Sequence, residues 1–299
     1  MGGLGARRDG AMPRHEAPLR AEELTSRARL ALALPSVIGH RGAAACAPEN
    51  TLAGLRKAWE LGCRWVEFDV RLTMDKHLIL LHDDRIERTT DGRGRAAALA
   101  LAALRHFDAG AWCGPGFKGE RIPTLADAVA LLGEIGIGAN VELKAARGRE
   151  AETGAAAAAM LSRLWPSHLP VPLISSFHQD ALAAARARSP GIARGILFRA
   201  VPKNWRAIAE SLGCAAIHAD HRRLHPAIAA EIRQSGYPLL AYTVNDPTRA
   251  HMLLEWGVTS VFSDVPHILA AAAGVGDRAG VSAAAEPSPA EPPPQGAVQ

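Results

Sequence analysis

Between about residue 36 and residue 270 the chain alternates short apolar runs with longer Ala- and Leu-rich segments of helical period. The apolar runs predict strands over 37–40, 65–72, 78–82, 138–144, 172–177, 194–198, 215–220, 238–245 and 259–264. Helices are predicted over 50–61, 124–135, 150–164, 179–188, 203–212, 226–235 and 247–256. Strands separated by crossovers of about a dozen residues form a parallel sheet, because a shorter link cannot return the chain to the same end. One link breaks that rule: only Thr73 to His77 separate the runs at 65–72 and 78–82, so these two form a hairpin.

Without the hairpin's second strand, eight strands remain, the number that closes a (β/α)8 TIM barrel of the α/β class. An open doubly wound sheet is the alternative, but "HRGAAACAPENT" after the first strand is no Gly-rich phosphate turn. The stretch 83–123 has several turn signals and little period, and is expected to form a small insertion over the barrel mouth. Residues 36–270 are thus the expected barrel. Residues 1–35 read as a partly helical N-terminal extension, with Met12 an alternative start. The segment 271–299, rich in Ala, Pro, Gly and Ser, reads as a disordered tail.

Composition narrows the picture. Apolar residues make up 48% and charged residues 21%, enough for a sizeable core. The formal charge of +4 comes from 34 basic and 30 acidic residues without a dense Lys/Arg block, which argues against nucleic acid as partner. Local cations remain available for a small anionic substrate. No stretch reaches the roughly 18 apolar residues of a membrane span. The short apolar run at 30–34 comes late and is mixed with Arg27 and Arg29, a poor signal peptide. Cys46, Cys63, Cys113 and Cys214 lie far apart with no C-x-x-C pair, which argues against a zinc ribbon or a disulfide scaffold. A reducing compartment and a cytoplasmic location are expected.

Candidate chemistry starts in "WVEFDVRL". Alternation puts Glu67 and Asp69 on one face with Trp65 and Arg71, and Val66, Phe68, Val70 and Leu72 on the other. In a barrel the apolar face packs on the helices and the acidic pair faces the interior, where two carboxylates repel unless a cation compensates. The plainer reading is ordinary salt bridging to Arg71 or Arg64. In "NVELK" the same alternation aligns Asn140, Glu142 and Lys144, adding a third inward carboxylate. Three carboxylates suit a hard divalent metal, Mg²⁺ or Ca²⁺, better than zinc. His40 ends the first predicted strand and His82 the hairpin strand, the latter beside the Asp69 region. Each alone reads as a polar cap, but phosphodiester cleavage needs one group to activate a hydroxyl and another to protonate the leaving oxygen. Arg41 and Lys144 suit a phosphate, or pair with these same carboxylates.

His40, Arg41 and Gly42 with Pro48, Glu49, Asn50 and Thr51 come first; Glu67, Asp69 and Val70, then His82 and Asp83, follow. Arg88, Thr89, Thr90 and Gly92, Ile122 to Leu125, Glu142 to Lys144, Ser175 to Phe177, Thr243 to Asn245, and Ser263, Asp264 and Pro266 complete a series. In order and spacing it resembles the glycerophosphodiester phosphodiesterase family. The resemblance implies a (β/α)8 barrel enzyme that hydrolyses small-molecule glycerophosphodiesters to sn-glycerol 3-phosphate and an alcohol. It implies Glu67, Asp69 and Glu142 as metal ligands, His40 and His82 as the acid/base pair, and Arg41 and Lys144 as phosphate contacts. The mechanism expected here is attack by the glycerol 2-hydroxyl, its pKa lowered by the metal, and a cyclic phosphate that water then opens.

Departures from the family pattern are small: Lys76 where the hairpin turn often has Gly, Tyr242 where Trp is common, and Ser263 where Thr is usual. Tyr242 and Phe177 either shape the glycerol or alcohol side of the pocket or serve as barrel packing. Glu49 and Asn50 are expected to brace the first loop and start a helix at 51, and Asp83 and Asp84 to orient His82 or face solvent. One rival is a lysophospholipase D on the same barrel, which needs an apolar channel; Trp112 and Phe117 are its only hint. Another is a non-catalytic phosphodiester-binding barrel, which should lack one of His40, Glu67, Asp69, His82 or Glu142, and all five are present.

Overall fold

The computed structural model describes residues 32–272. The expected N-terminal extension lies outside these residues up to 31, and the expected tail lies outside them from 273.

Alternation in β2 (Trp65–Leu72) divides it between two cores. Val66, Phe68, Val70 and Leu72 join the apolar layer under the helices, shared with Leu125 and Leu132 of α3 (Leu125–Ile135) and Leu161 of α4 (Glu150–Leu164). Trp65 joins a separate axial cluster with Ile38, Leu173, Ala216, Leu240 and Phe262. That indole fills so much of the axis that its neighbour in register, Gly138, has no room for a side chain: a Cβ there would stand 2.5 Å from the ring.

β1 (Val37–Gly39) pairs with β9 (Ser260–Ser263) on one side and with β2 on the other, through Gly39 and Val66. Between β2 and β9 run β4 (Gly138–Leu143), β5 (Leu173–Ser176), β6 (Ala193–Phe198), β7 (Ala216–Asp220) and β8 (Leu239–Tyr242), all parallel. Eight strands therefore close a (β/α)8 barrel, as the count predicts. Because β1 is three residues long, it leaves the upper edge of β2 uncovered. β3 (Leu78–Leu80) covers it as the hairpin partner, with Val70 opposite Leu80 and Leu72 opposite Leu78.

Several strands end sooner than the apolar runs do: β3 at Leu80 rather than 82, β8 at Tyr242 rather than 245. Past those points side chains bond to one another across loops, and His82 stands beyond its strand instead of closing it. The helices follow prediction to within about two residues, and α9 (Pro266–Ala272) is added after β9, so the expected barrel boundary at 270 falls inside a helix. The insertion 83–123 carries only α2 (Leu101–Leu104) and short 3₁₀ turns, over a core of its own in which Ile86, Leu104 and Ile122 pack on Ile79 and Leu81. At the opposite end Leu32 is buried in the axial cluster, and the Pro35 carbonyl accepts the Ser260 hydroxyl at 2.6 Å.

Candidate active site

Parallel pairing of β2 and β4 sets Glu67 opposite Asn140 and Asp69 opposite Glu142. Three carboxylates thereby converge inside the barrel near the carboxyl ends of its strands, all buried, with one oxygen of each within 4.8 Å of the others. Burial pushes the Glu67 carboxyl well above the ordinary range, and the charges of Asp69 and Glu142 push it further. Glu142 is raised too, by burial first, against the pull of Lys144. Asp69 moves the other way, since Lys144, Arg41, His82 and a hydrogen bond from Asn50 together outweigh its burial.

Asn50 has a role its position in the sequence did not suggest. Thr51 caps α1 (Leu52–Glu60) by accepting the Gly54 amide at 3.0 Å, so Asn50 is not the helix starter. In the left-handed region at φ 56, it clamps Asp69 twice, donating Nδ2 to Oδ2 at 2.8 Å and accepting the Asp69 amide at 2.9 Å. Glu49 braces the same loop by accepting Arg41 Nη1 at 2.8 Å and Arg88 Nη1 and Nη2 at 2.7 and 2.8 Å.

Each histidine is backed by an aspartate. His40 Nδ1 donates to Asp264 Oδ1 at 2.6 Å, which fixes the tautomer and leaves Nε2 facing inward, 3.9 Å from Glu67 Oε2. Asn245 Nδ2 in turn holds Asp264 Oδ2 at 2.7 Å. His82 Nδ1 donates to Asp83 Oδ1 at 2.6 Å, while Arg88 Nε holds Asp83 Oδ2 at 2.6 Å and keeps that carboxyl down at about 2. Burial lowers the His82 imidazole below its ordinary value, with Asp69 opposing. Arg71 does not pair with Glu67 or Asp69; its Nε and Nη2 donate to the His82 carbonyl at 3.0 and 2.7 Å. Arg64 is exposed and takes no part.

Arg41 sits at φ 50, a strained value for a residue with a side chain, and is held there by its own amide donating to Glu67 Oε2 at 3.0 Å. Its Nε lies 3.4 Å from Asp69 Oδ2. Lys144 Nζ lies 2.5 Å from Glu142 Oε1 and 3.4 Å from Asp69 Oδ1. Both cations thus pair with the carboxylates while lining a cavity of about 250 Å³ together with His40, His82, Phe177 and Tyr242. Phe177 and Tyr242 meet edge to face at 5.9 Å, and the Tyr242 hydroxyl donates to the Phe198 carbonyl at 3.0 Å, so the two rings line the cavity and pack at once.

On the cavity wall stands His218, fully buried and with neither ring nitrogen hydrogen-bonded among the described residues. Gly195 makes room for it, as a Cβ there would come within 2.7 Å of Nε2. Burial pushes this imidazole down to about 3, so it is neutral. Reading the sequence missed His218 altogether; Asn50, Arg88 and Asp264 stood in its motifs, which did not show that they hold Asp69, Asp83 and His40.

Glu67 Oε1 and Asn140 Oδ1 are buried without a hydrogen-bond partner among the described residues. Orphaned oxygens beside three carboxylates form an all-oxygen donor set that fits a hard divalent cation. The barrel, its acidic cluster and its aspartate-backed imidazoles define a hydrolase of phosphoric diesters. The chain belongs to the glycerophosphoryl diester phosphodiesterase family, whose model matches residues 40–268. It is 30% identical over 234 residues to a glycerophosphodiester phosphodiesterase of Caldanaerobacter subterraneus subsp. tengcongensis, covering 78% of this chain and 95% of that one. A phosphodiesterase of Oleispira antarctica, solved with the product sn-glycerol-3-phosphate, is 42% identical with a TM-score of 0.79, over 81% of this chain and 97% of that one. A glycerophosphodiester phosphodiesterase structure from Agrobacterium tumefaciens shares the fold at 24% identity and a TM-score of 0.69, over 80% of this chain and 100% of that one.

Proposed function

We propose that this chain hydrolyses water-soluble glycerophosphodiesters to sn-glycerol 3-phosphate and an alcohol, with Glu67, Asp69 and Glu142 holding Mg²⁺ or Ca²⁺. The observation that carries this reading is the pair of imidazoles, each fixed by an aspartate, lining one cavity with the buried carboxylate cluster. The bound cation would supply charge neutralisation at the phosphate and a lowered pKa at the attacking hydroxyl. Arg41 and Lys144 hold the phosphate, one as a fork and the other as a point charge. One histidine accepts the proton of the glycerol 2-hydroxyl as its oxygen bonds to phosphorus. The other gives a proton to the departing alcohol oxygen as the old P–O bond breaks. Water then gives its proton to the second histidine and opens the cyclic phosphate, and the first returns its proton to the 2-oxygen.

Trp112 and Phe117 do not line the cavity, which favours a soluble diester over a lysophospholipid. Among the described residues no helix is long and apolar enough to cross a membrane. A reducing, cytoplasmic setting is the reading that the wide spacing of the four cysteines along the sequence supports.

The test is release of sn-glycerol 3-phosphate from glycerophosphoglycerol and glycerophosphoethanolamine. Release should stop with chelator, return with Mg²⁺ or Ca²⁺, and fall by about 10²-fold or more in His40→Ala and His82→Ala. A p-nitrophenyl leaving group, which needs no protonation, should rescue only the variant that lacks the acid. Turnover of a substrate without the 2-hydroxyl would rule out the cyclic route, and metal-independent turnover would rule out the cation.

A further inference from the structure

Taking that reading as its basis, we propose that the preferred leaving alcohol carries an anionic group of its own, a second phosphate, and that Arg199 selects it. Arg199 follows β6 at the barrel mouth, exposed, and borders both the central cavity and the two grooves that lead out of it. An alcohol leaving by either groove must pass it.

The carboxylates of both grooves are already taken. Asp220 is held by Arg222 through Nε at 3.0 Å and Nη2 at 2.8 Å. Asp83 is held by His82 and Arg88, and Asp84 by Arg95 Nη1 at 2.7 Å. Arg199 forms no ion pair among the described residues; its guanidinium rests over the Phe177 ring at 5.8 Å. Beside it the smaller groove sets Arg199, Arg222 and Arg223 against Asp220 alone. Fields of this kind attract a second anion and repel a cation.

A cationic headgroup is disfavoured twice over. Quaternary ammonium groups are recognised on aromatic faces, and the Phe177 ring already has Lys144 Nζ at 5.7 Å and Arg199 at 5.8 Å. The groove, about 610 Å³, has room for a glycerol- or inositol-sized alcohol bearing a phosphate.

Two matched pairs test the idea with metal present: glycerophosphoinositol against its 4-phosphate, and glycerophosphoglycerol against bis(glycerophospho)glycerol, with glycerophosphocholine as the cationic case. The first pair adds a phosphate monoester and the second a diester. In low salt kcat/KM should favour the charged member of at least one pair by about tenfold, glycerophosphocholine should rank last, and the preference should shrink as salt rises. The pair that shows it names the form of the anion. Arg199→Ala should collapse the charged-to-neutral ratio toward one, and Arg199→Lys should keep part of it. Equal turnover within both pairs, or a ratio that survives Arg199→Ala, overturns the role of Arg199 while leaving the reaction intact. No release from any diester would instead bring down the reaction and this inference with it.

Discussion

His40 and His82 both turn Nδ1 to an aspartate, so each imidazole presents its Nε2 and takes up charge against a carboxylate. Asp264 acts through His40. Asp264→Asn should lower kcat by about 10²-fold or more while leaving KM within a few-fold, because substitution by an amide permits the wrong tautomer without emptying the phosphate site. A KM change of the same size as the kcat change would count against it. His218 is the opposite case, a histidine buried without a countercharge. Its folded value of about 3 lies below the ordinary 6.5, so the stability tied to its neutrality is present above pH 6.5 and lost as pH falls toward 3. Between pH 7.5 and 5 this group should cost the fold about 2 kcal/mol, and His218→Gln should flatten that slope in urea titrations. A slope unchanged in the variant would mean that another group sets it. The convergence of the three carboxylates was legible in the sequence because strand alternation shows which side chains share a face, and the two histidines drew notice because each closes an apolar run. Asn50, Asp264 and Arg88 were not, since each acts on a partner that only loop geometry brings near.

Element boundaries tell a similar story. Strands and helices were legible because burial imposes a period, and β2, with one face on the helices and one on the axis, repeats its period most clearly. The insertion has no such period, for local polar bonds shape it: Asp108 accepts the amides of Gly110, Ala111 and Gly119 at 2.8, 2.8 and 2.7 Å. Between β2 and β3, Lys76 holds φ 65, where a side chain costs about 1 kcal/mol. Its ion pair with Glu152 is on the surface and returns little. Lys76→Gly should therefore stabilise the fold by about 0.5 kcal/mol after the added freedom of the unfolded chain is counted, whereas Lys76→Ala should not. Chemical denaturation of both variants checks this, and a loss in Lys76→Gly would show that the ion pair outweighs the strain.

Across the whole molecule, the carboxyl end of the barrel carries the chemistry and the amino end carries the seal. Leu32 and Trp65 close the axis there, with Trp65 one side-chain layer below Glu67 in the strand register. Leu32→Ala should cost about 2–3 kcal/mol of stability and leave kcat/KM within about twofold, which thermal melts and assays of the folded variant would check. Equal losses in stability and activity would mean that the two ends are coupled. Closure has a further consequence in time. β1 pairs with β9, and His40 is oriented by Asp264, 224 positions later in the chain. A growing polypeptide therefore makes His40 early and receives Asp264 only after the strand that shuts the ring, so under the proposed roles a ribosome-bound or prematurely terminated fragment should be chemically silent.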